Sequence, residues 1–223
     1  MSTQPADPSR ILIVDDHPLF REGLRQMIDH EPDLHVCGEA PDADSALQAI
    51  TELKPDLAII DISLGGANGI DLIKSIKAAH EDFPVLVVSM HDESLYAERA
   101  LRAGALGYIM KHEPAKTVKL AVRKALKGEI YLSERMSSSM LARVVGGKNE
   151  PQESPIDALS DRELEVFQML GQGKSVRQIA EDLTLSIPTI NSFRNRIKEK
   201  LHLKSSTEVM LHAIQWLRDE VGK

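Results

Sequence analysis

Four short apolar runs in the first half of this chain each stop on residues that could do chemistry together. Ile11–Val14 runs into Asp15 and Asp16, Leu57–Ile60 into Asp61, Val85–Val88 into Ser89, and Gly107–Met110 into Lys111. One aspartate after an apolar run is usually a turn or helix-cap residue. Five suitable residue types at matching positions carry more weight, because an open parallel sheet binds ligands beyond the carboxyl ends of its strands and brings such residues together. Converging carboxylates repel one another unless a hard divalent cation joins them, and Mg2+ favours carboxylate, backbone carbonyl and water oxygens. A carboxylate that attacks a phosphoryl group needs positive charge to screen the approaching anion. Lys111 and the cation supply that charge, and Ser89 can donate a hydrogen bond to a phosphoryl oxygen.

The elements that must position these residues follow from periodicity. Over residues 9–130, five Val/Ile/Leu-rich runs (Ile11–Val14, Leu34–Glu39, Leu57–Ile60, Val85–Val88 and Gly107–Met110) alternate with amphipathic stretches. This predicts an α/β doubly wound unit with a five-stranded parallel sheet. Helical stripes are formed by Leu19, Leu24, Met27 and Ile28, by Ala46, Leu47, Ile50 and Leu53, and by Ile70, Ile73 and Ile76. Residues 131–156 read as a linker: a candidate short helix, Glu134–Val145, precedes the run GGKNEPQESP. Residues 157–223 carry four helical segments, roughly Asp161–Leu170, Val176–Leu183, Pro188–His202 and Ser205–Leu217, and so read as an all-α four-helix unit.

Composition sets the frame. A chain of 223 residues, 42% hydrophobic and 27% charged, fits two globular domains, and its apolar runs are too short to cross a bilayer. The N-terminal MSTQPADPSR lacks the layout of a secretory signal, so a cytoplasmic protein without a membrane partner is expected. The single Cys37 can form neither an internal disulfide nor a cysteine metal cluster, and is expected as a small buried hydrophobe. His17, with no second His or Cys at ligand spacing, is expected at the surface rather than as a metal ligand, and the same holds for His91 and His112. Net charge is −7, yet residues 186–204 hold five basic residues against one acidic, so positive charge gathers in one late helix.

The segments ILIVDDHPLFREGL, DLAIIDISLGGANGIDL, PVLVVSMHD and ALRAGALGYIMKHE occur in order. With them, residues 9–130 resemble the flavodoxin-like receiver domain of bacterial response regulators. The resemblance implies that Asp61 accepts a phosphoryl group from a sensor histidine kinase or a small phosphodonor. It implies that Asp16, Asp61 and the backbone carbonyl of Ser63 hold Mg2+, with Asp15 acting through water. Ser89 and Tyr108 would carry the signal outward as the hydroxyl moves inward and the aromatic ring follows.

The C-terminal segment marks its own helix ends. Ser160 and Glu163 form a capping-box pair, Gly171 and Gly173 close that helix, Ser175 can cap the next, and Ser186 with Pro188 opens the third. At 100° per residue, Ile190, Phe193, Ile197 and Leu201 share one face of the third helix. Asn191, Ser192 and Asn195 share the opposite one, polar groups suited to base edges, with Arg194 and Lys198 on one flank and Arg196 on the other for phosphates. This part is similar to the LuxR-type helix-turn-helix of the NarL/FixJ family, which implies double-stranded DNA as partner. It departs where the family commonly has a basic residue at the position of Asn191 and a histidine at that of Phe193. The last helix is richer in apolar residues than one small domain needs, and the resemblance implies a homodimer on activation. Two other readings stay in view. A phosphohydrolase with an aspartate nucleophile would need a second Asp two residues beyond it, where Ser63 stands. A helix-turn-helix that contacts protein instead of DNA would lack a steep salt dependence.

Overall fold

The computed structural model describes residues 7–145 and 155–221. Of the linker run expected at 146–155, residues 146–154 lie outside the described residues. The chain forms two compact units, Met1–Val145 and Gly146–Lys223.

In the first unit, β1 (Ser9–Val14), β2 (Leu34–Ala40), β3 (Leu57–Ile60), β6 (Val85–Ser89) and β7 (Tyr108–Met110) form one parallel sheet in the order β2-β1-β3-β6-β7. The order reverses between β1 and β3, the switch point at which ligands bind in such sheets. Between β3 and β6 a small antiparallel hairpin, β4 (Ser63–Leu64) and β5 (Ala67–Asn68), was not expected from periodicity, because its strands are two residues each.

Among the described residues of this unit, six helices flank the sheet: α1 (Pro18–Asp29), α2 (Ala43–Leu53), α3 (Gly69–Ala79), α4 (Glu93–Arg102), α5 (Ala115–Leu126) and α6 (Glu134–Val145). Alternation along the strands divides the core. Ile11, Ile13, Leu57, Ile59, Leu86 and Val88 pack with Leu24 and Ile28 of α1 and with Val118, Ala121 and Val122 of α5. The stripe expected for α1 is corrected at its start. Leu19 is 91% exposed while Phe20 packs on the core, since Phe20 stands four residues before Leu24 and shares its face, whereas Leu19, five before it, falls about 140° away. Cys37 is half-buried, its thiol donating to the Ile11 carbonyl at 3.5 Å, and burial pushes its pKa up.

Gly107, expected inside the last strand, makes an isolated parallel bridge to Tyr131, so the chain beyond α5 lies along the sheet edge. The candidate helix Glu134–Val145 is present as α6 and rests against α4, where Ser133 Oγ donates to Glu93 Oε1 at 2.9 Å.

The second unit opens with a 3-10 turn, Pro155–Ala158, followed by α7 (Asp161–Gly171), α8 (Val176–Asp182), α9 (Ile187–Lys200) and α10 (Ser206–Val221). Capping boxes start both α7, through Ser160 and Glu163, and α8, through Ser175 and Gln178. Phe167, Ile179, Ile190, Ile197, Val209 and Ala213 form the core, all inaccessible to solvent. Gly171 is the last residue of α7, where a Cβ would lie 2.6 Å from the Ala213 carbonyl oxygen. The close approach of α7 and α10 therefore depends on that glycine.

Candidate functional site

The loops after β1, β3 and β7 bring Asp15, Asp16, Asp61 and Lys111 into one pocket. Asp15 and Asp61 are buried, and Lys111 Nζ bridges them at 2.6 Å from Asp15 Oδ2 and 2.7 Å from Asp61 Oδ2. The ammonium also lies 4.4 Å above the centre of the Phe20 ring, which shields the ion pair from water. Backbone groups hold the remaining oxygens: Ile62 N donates to Asp61 Oδ1 at 2.7 Å, His17 N to Asp15 Oδ1 at 2.8 Å, and Gly65 N to Asp16 Oδ2 at 3.0 Å. Burial, with repulsion from Asp61 adding to it, raises the pKa of Asp15 against the lowering hydrogen bond from Lys111.

Asp16 Oδ1 is buried and has no hydrogen-bond partner among the described residues. One ligand atom from each of Asp15, Asp16, His17 and Asp61 lies within 4.8 Å of the others. His17 Nδ1 pairs with Asp16 Oδ1 at 2.6 Å, and three carboxylates gathered this closely suit a small divalent cation.

Two groups that periodicity did not single out fix this geometry. Gly69 donates to the Ile62 carbonyl at 2.7 Å, and a Cβ on it would sit 2.0 Å from the Asp61 carbonyl oxygen. Arg21 donates to the Asp15 carbonyl at 2.6 Å and is itself held by Glu39 at 3.2 Å. The dipeptide Asn68–Gly69 was the one local signal for Gly69, and nothing local marked Arg21.

Ser89 ends β6 and is fully buried, its Oγ accepting from His91 N at 3.4 Å. Tyr108 points inward, 1% exposed, and its hydroxyl donates to the His91 carbonyl at 2.7 Å. Burial holds that hydroxyl far above its ordinary pKa. Ser63 begins the hairpin, and its Oγ lies 3.0 Å from His91 Nε2, while the His91 ring packs on Tyr96 of α4 at 4.6 Å. His91 is thus half-buried and joined to Ser63 and Tyr108, not the surface residue expected; His112 is exposed.

In the second unit, Thr184 takes φ 53° in the turn between α8 and α9, a left-handed conformation uncommon for a β-branched residue. On α9, Asn191, Ser192, Asn195 and Arg196 are exposed, and Arg194 and Lys198 are half-buried. Arg194 donates to Asn191 Oδ1 at 3.2 Å. The angular reading of the buried face holds for Ile190, Ile197 and Leu201, but Phe193 is only half-buried, with the Arg196 guanidinium 5.9 Å from its ring centre. Lys200 reaches back to Glu163 of α7 at 2.6 Å, fastening α9 to the first capping box.

A parallel sheet with an acidic pocket at its switch point and a separate helix-turn-helix define a receiver joined to an output domain. The model of the response regulator receiver domain matches residues 11–123, and that of the luxR family of bacterial regulatory proteins matches residues 157–213. The oxygen regulatory protein NreC of Staphylococcus haemolyticus is 33% identical over 210 residues, covering 92% of this chain and 97% of that protein. The crystal structure of ChrA, a response regulator of a heme-sensing two-component system, aligns with TM-score 0.52 and 30% identity over 96% of this chain and 99% of that one. The RcsB response regulator of Salmonella typhimurium aligns with TM-score 0.64 at 23% identity, over 94% of this chain and 98% of that one, a likeness of fold. The chain belongs to the NarL/FixJ family of two-component response regulators, with a receiver followed by a LuxR-type DNA-binding domain. No helix among the described residues is long and apolar enough to cross a membrane.

Proposed function

We propose that this regulator takes a phosphoryl group on Asp61 from a sensor histidine kinase and thereby controls its own dimerisation and its binding to double-stranded promoter DNA in the cytoplasm. The receiver spans 9–130 and the output domain 157–223, with 131–156 between them. The observation that carries the reading is the Lys111 ammonium bridging the buried Asp15 and Asp61 carboxylates. A carboxylate oxygen of Asp61 attacks phosphorus, and the bond from phosphorus to the donor nitrogen breaks. The departing imidazole takes up a proton, so the kinase histidine leaves neutral. Lys111 then faces the new phosphoryl oxygens as well as Asp15 and offsets their charge, while Ser89 donates to one of them.

Asp16, Asp61 and the backbone carbonyl of Ser63 would hold Mg2+, with Asp15 reaching it through water; the ion supplies charge neutralisation along the path of the transferring group. The gathering of carboxylate oxygens from Asp15, Asp16 and Asp61 within 4.8 Å of one another supports this assignment. Tyr108, already turned inward beside Ser89 and anchored on His91, carries the change to the surface of α4. The chain acts as a regulator, with no chemistry beyond its own phosphorylation and dephosphorylation. At the output, Asn191, Ser192 and Asn195 face base edges, and Arg194, Arg196 and Lys198 face phosphates.

Intact-mass analysis after acetyl phosphate and Mg2+, with DNA binding measured on the same samples, tests the proposal. Wild type gains one phosphoryl mass and binds promoter DNA more tightly, and Asp61→Asn does neither. Equal mass gain in both proteins would remove Asp61 from its role.

A further inference from the structure

The chain that leaves α5 follows the edge of β7. Tyr131 N donates to the Leu106 carbonyl at 2.8 Å, and Tyr131 bridges Gly107. A Cβ on Gly107 would meet the Tyr131 carbonyl oxygen at 2.7 Å, so the approach is backbone to backbone. Two residues on, Ser133 opens α6. Its Oγ accepts from Met136 N at 3.0 Å, as a helix cap does, and donates to Glu93 Oε1 at 2.9 Å. Ser133 and Glu93 are half-buried, and Met136 in the first turn of α6 is buried. Glu93 is the first residue of α4, so one hydroxyl–carboxylate bond joins the starts of two helices.

The two sides of that bond answer to different parts of the fold. Ser133 is tied through Tyr131 to the sheet edge. Glu93 belongs to the segment that follows Ser89: His91 N donates to Ser89 Oγ at 3.4 Å, the His91 carbonyl accepts from Tyr108 at 2.7 Å, and Asp92 caps α4 by accepting from Ser94 N at 2.8 Å. A hydroxyl that donates to a phosphoryl oxygen can keep accepting from His91 N, so movement of Ser89 toward Asp61 draws residues 91–93 with it while the sheet edge stays in place. A displacement of roughly 1 Å is enough to break a hydrogen bond of this length.

We infer that the Ser133–Glu93 bond is a latch, which holds the start of α6 against α4 in the unphosphorylated receiver and opens when Asp61 is phosphorylated. The movement then leaves the receiver through α6, the last helix of the first unit. The inference rests on the reading of Asp61 as phosphoryl acceptor and of Ser89 as the group that follows it, and adds where their movement goes. Coupling between two equilibria is reciprocal, so weakening the latch also favours the phosphorylated state.

Hydrogen–deuterium exchange of the full-length protein, read on the amides of residues 136–142 before and after acetyl phosphate and Mg2+, with intact mass taken on the same samples, tests this. In wild type these amides exchange at least about tenfold faster once the phosphoryl mass appears, and in Asp61→Asn they do not change. Glu93→Ala removes the acceptor and leaves Ser133 free to cap α6. Its unphosphorylated form already exchanges at the faster rate, and its phosphoryl uptake rises about fivefold. Glu93→Gln, which still offers an oxygen to Ser133, falls between Glu93→Ala and wild type. A phosphoryl gain on wild type with unchanged exchange at 136–142, or exchange in unphosphorylated Glu93→Ala equal to that of wild type, overturns the latch while leaving Asp61 in its role. No phosphoryl gain on wild type overturns that role and the latch with it.

Discussion

In the strand-end pocket the functional side chains are buried and hold one another: Lys111 bridges Asp15 and Asp61 within 2.7 Å, and backbone N–H groups fix the free oxygens. On α9, Asn191, Ser192, Asn195 and Arg196 stand in solvent while Arg194 and Lys198 are half-buried, and Arg194 donates to Asn191 Oδ1 at 3.2 Å. The pocket is assembled from three strand ends and one helix start, whereas the α9 surface belongs to a single helix whose inner face is packed. A site that must place charge on a small anion needs fixed distances in low dielectric, and burial provides them at a cost in stability. A surface that must meet base edges and phosphates needs reach, and its side chains are ordered when the partner arrives. Substitutions in the pocket should therefore change folding and chemistry together, and those on α9 should change binding alone.

The largest separation is expected from a glycine. Gly69→Ala puts a Cβ 2.0 Å from the Asp61 carbonyl oxygen, and backbone cannot yield as a side-chain end can. Urea unfolding should show a loss of about 3 kcal/mol, with reduced phosphoryl uptake in the same sample. Gly23→Ala, in α1 with nothing within 4 Å of the added carbon, should gain roughly 0.5–1 kcal/mol and leave uptake unchanged. Equal effects at the two sites would break the contrast between held and open surroundings.

The next effect belongs to α9. Asn195→Ala should lose about 1–3 kcal/mol of affinity for cognate DNA while the salt dependence stays the same. Arg196→Ala should weaken binding to all sequences and lower the salt slope by about one. Neither should move the unfolding midpoint, and a shift would mean that this face also supports the fold.

The smallest effect is electrostatic. The pKa of Asp15 is raised, mainly by burial and further by repulsion from Asp61. An acid whose folded pKa exceeds its unfolded value contributes most favourably below that unfolded value, near 3.8, and the contribution is lost as pH rises through the folded one. Asp15→Asn should therefore be more stable than wild type at neutral pH, by about 1 kcal/mol, and the gap should close as the pH is lowered toward 4. The same variant should bind Mg2+ more weakly, which would tie the instability of the pocket to its function. A gap that stayed constant with pH would remove the electrostatic cause.

The strand-end residues were readable because fully buried strands announce themselves as unbroken apolar runs, and the residue after each run must lie at the carboxyl end of the sheet. Ser160, Ser175 and Ser186 were readable as caps because capping is local chemistry between residues three apart. Gly69, Arg21 and His91 were not, since each matters through a contact made across the fold: with the Asp61 carbonyl, the Asp15 carbonyl, and Ser63 and Tyr108. Phe193 shows the limit of periodicity. An apolar residue on a predicted inner face is buried only if a neighbouring element covers that turn of the helix.

The sequence by itself determined the order of the five sheet strands and the helices between them, the caps that open α7, α8 and α9, the set of acidic, hydroxyl and lysine residues at strand ends, and the polar face of α9. These depend on periods of two and 3.6 residues and on contacts between near neighbours. Tertiary structure decided which of those residues touch. It set Lys111 between Asp15 and Asp61, brought His17 Nδ1 to 2.6 Å from Asp16 Oδ1, and turned Tyr108 inward onto His91. Such distances are fixed by packing between elements far apart in the chain, and no local pattern encodes them.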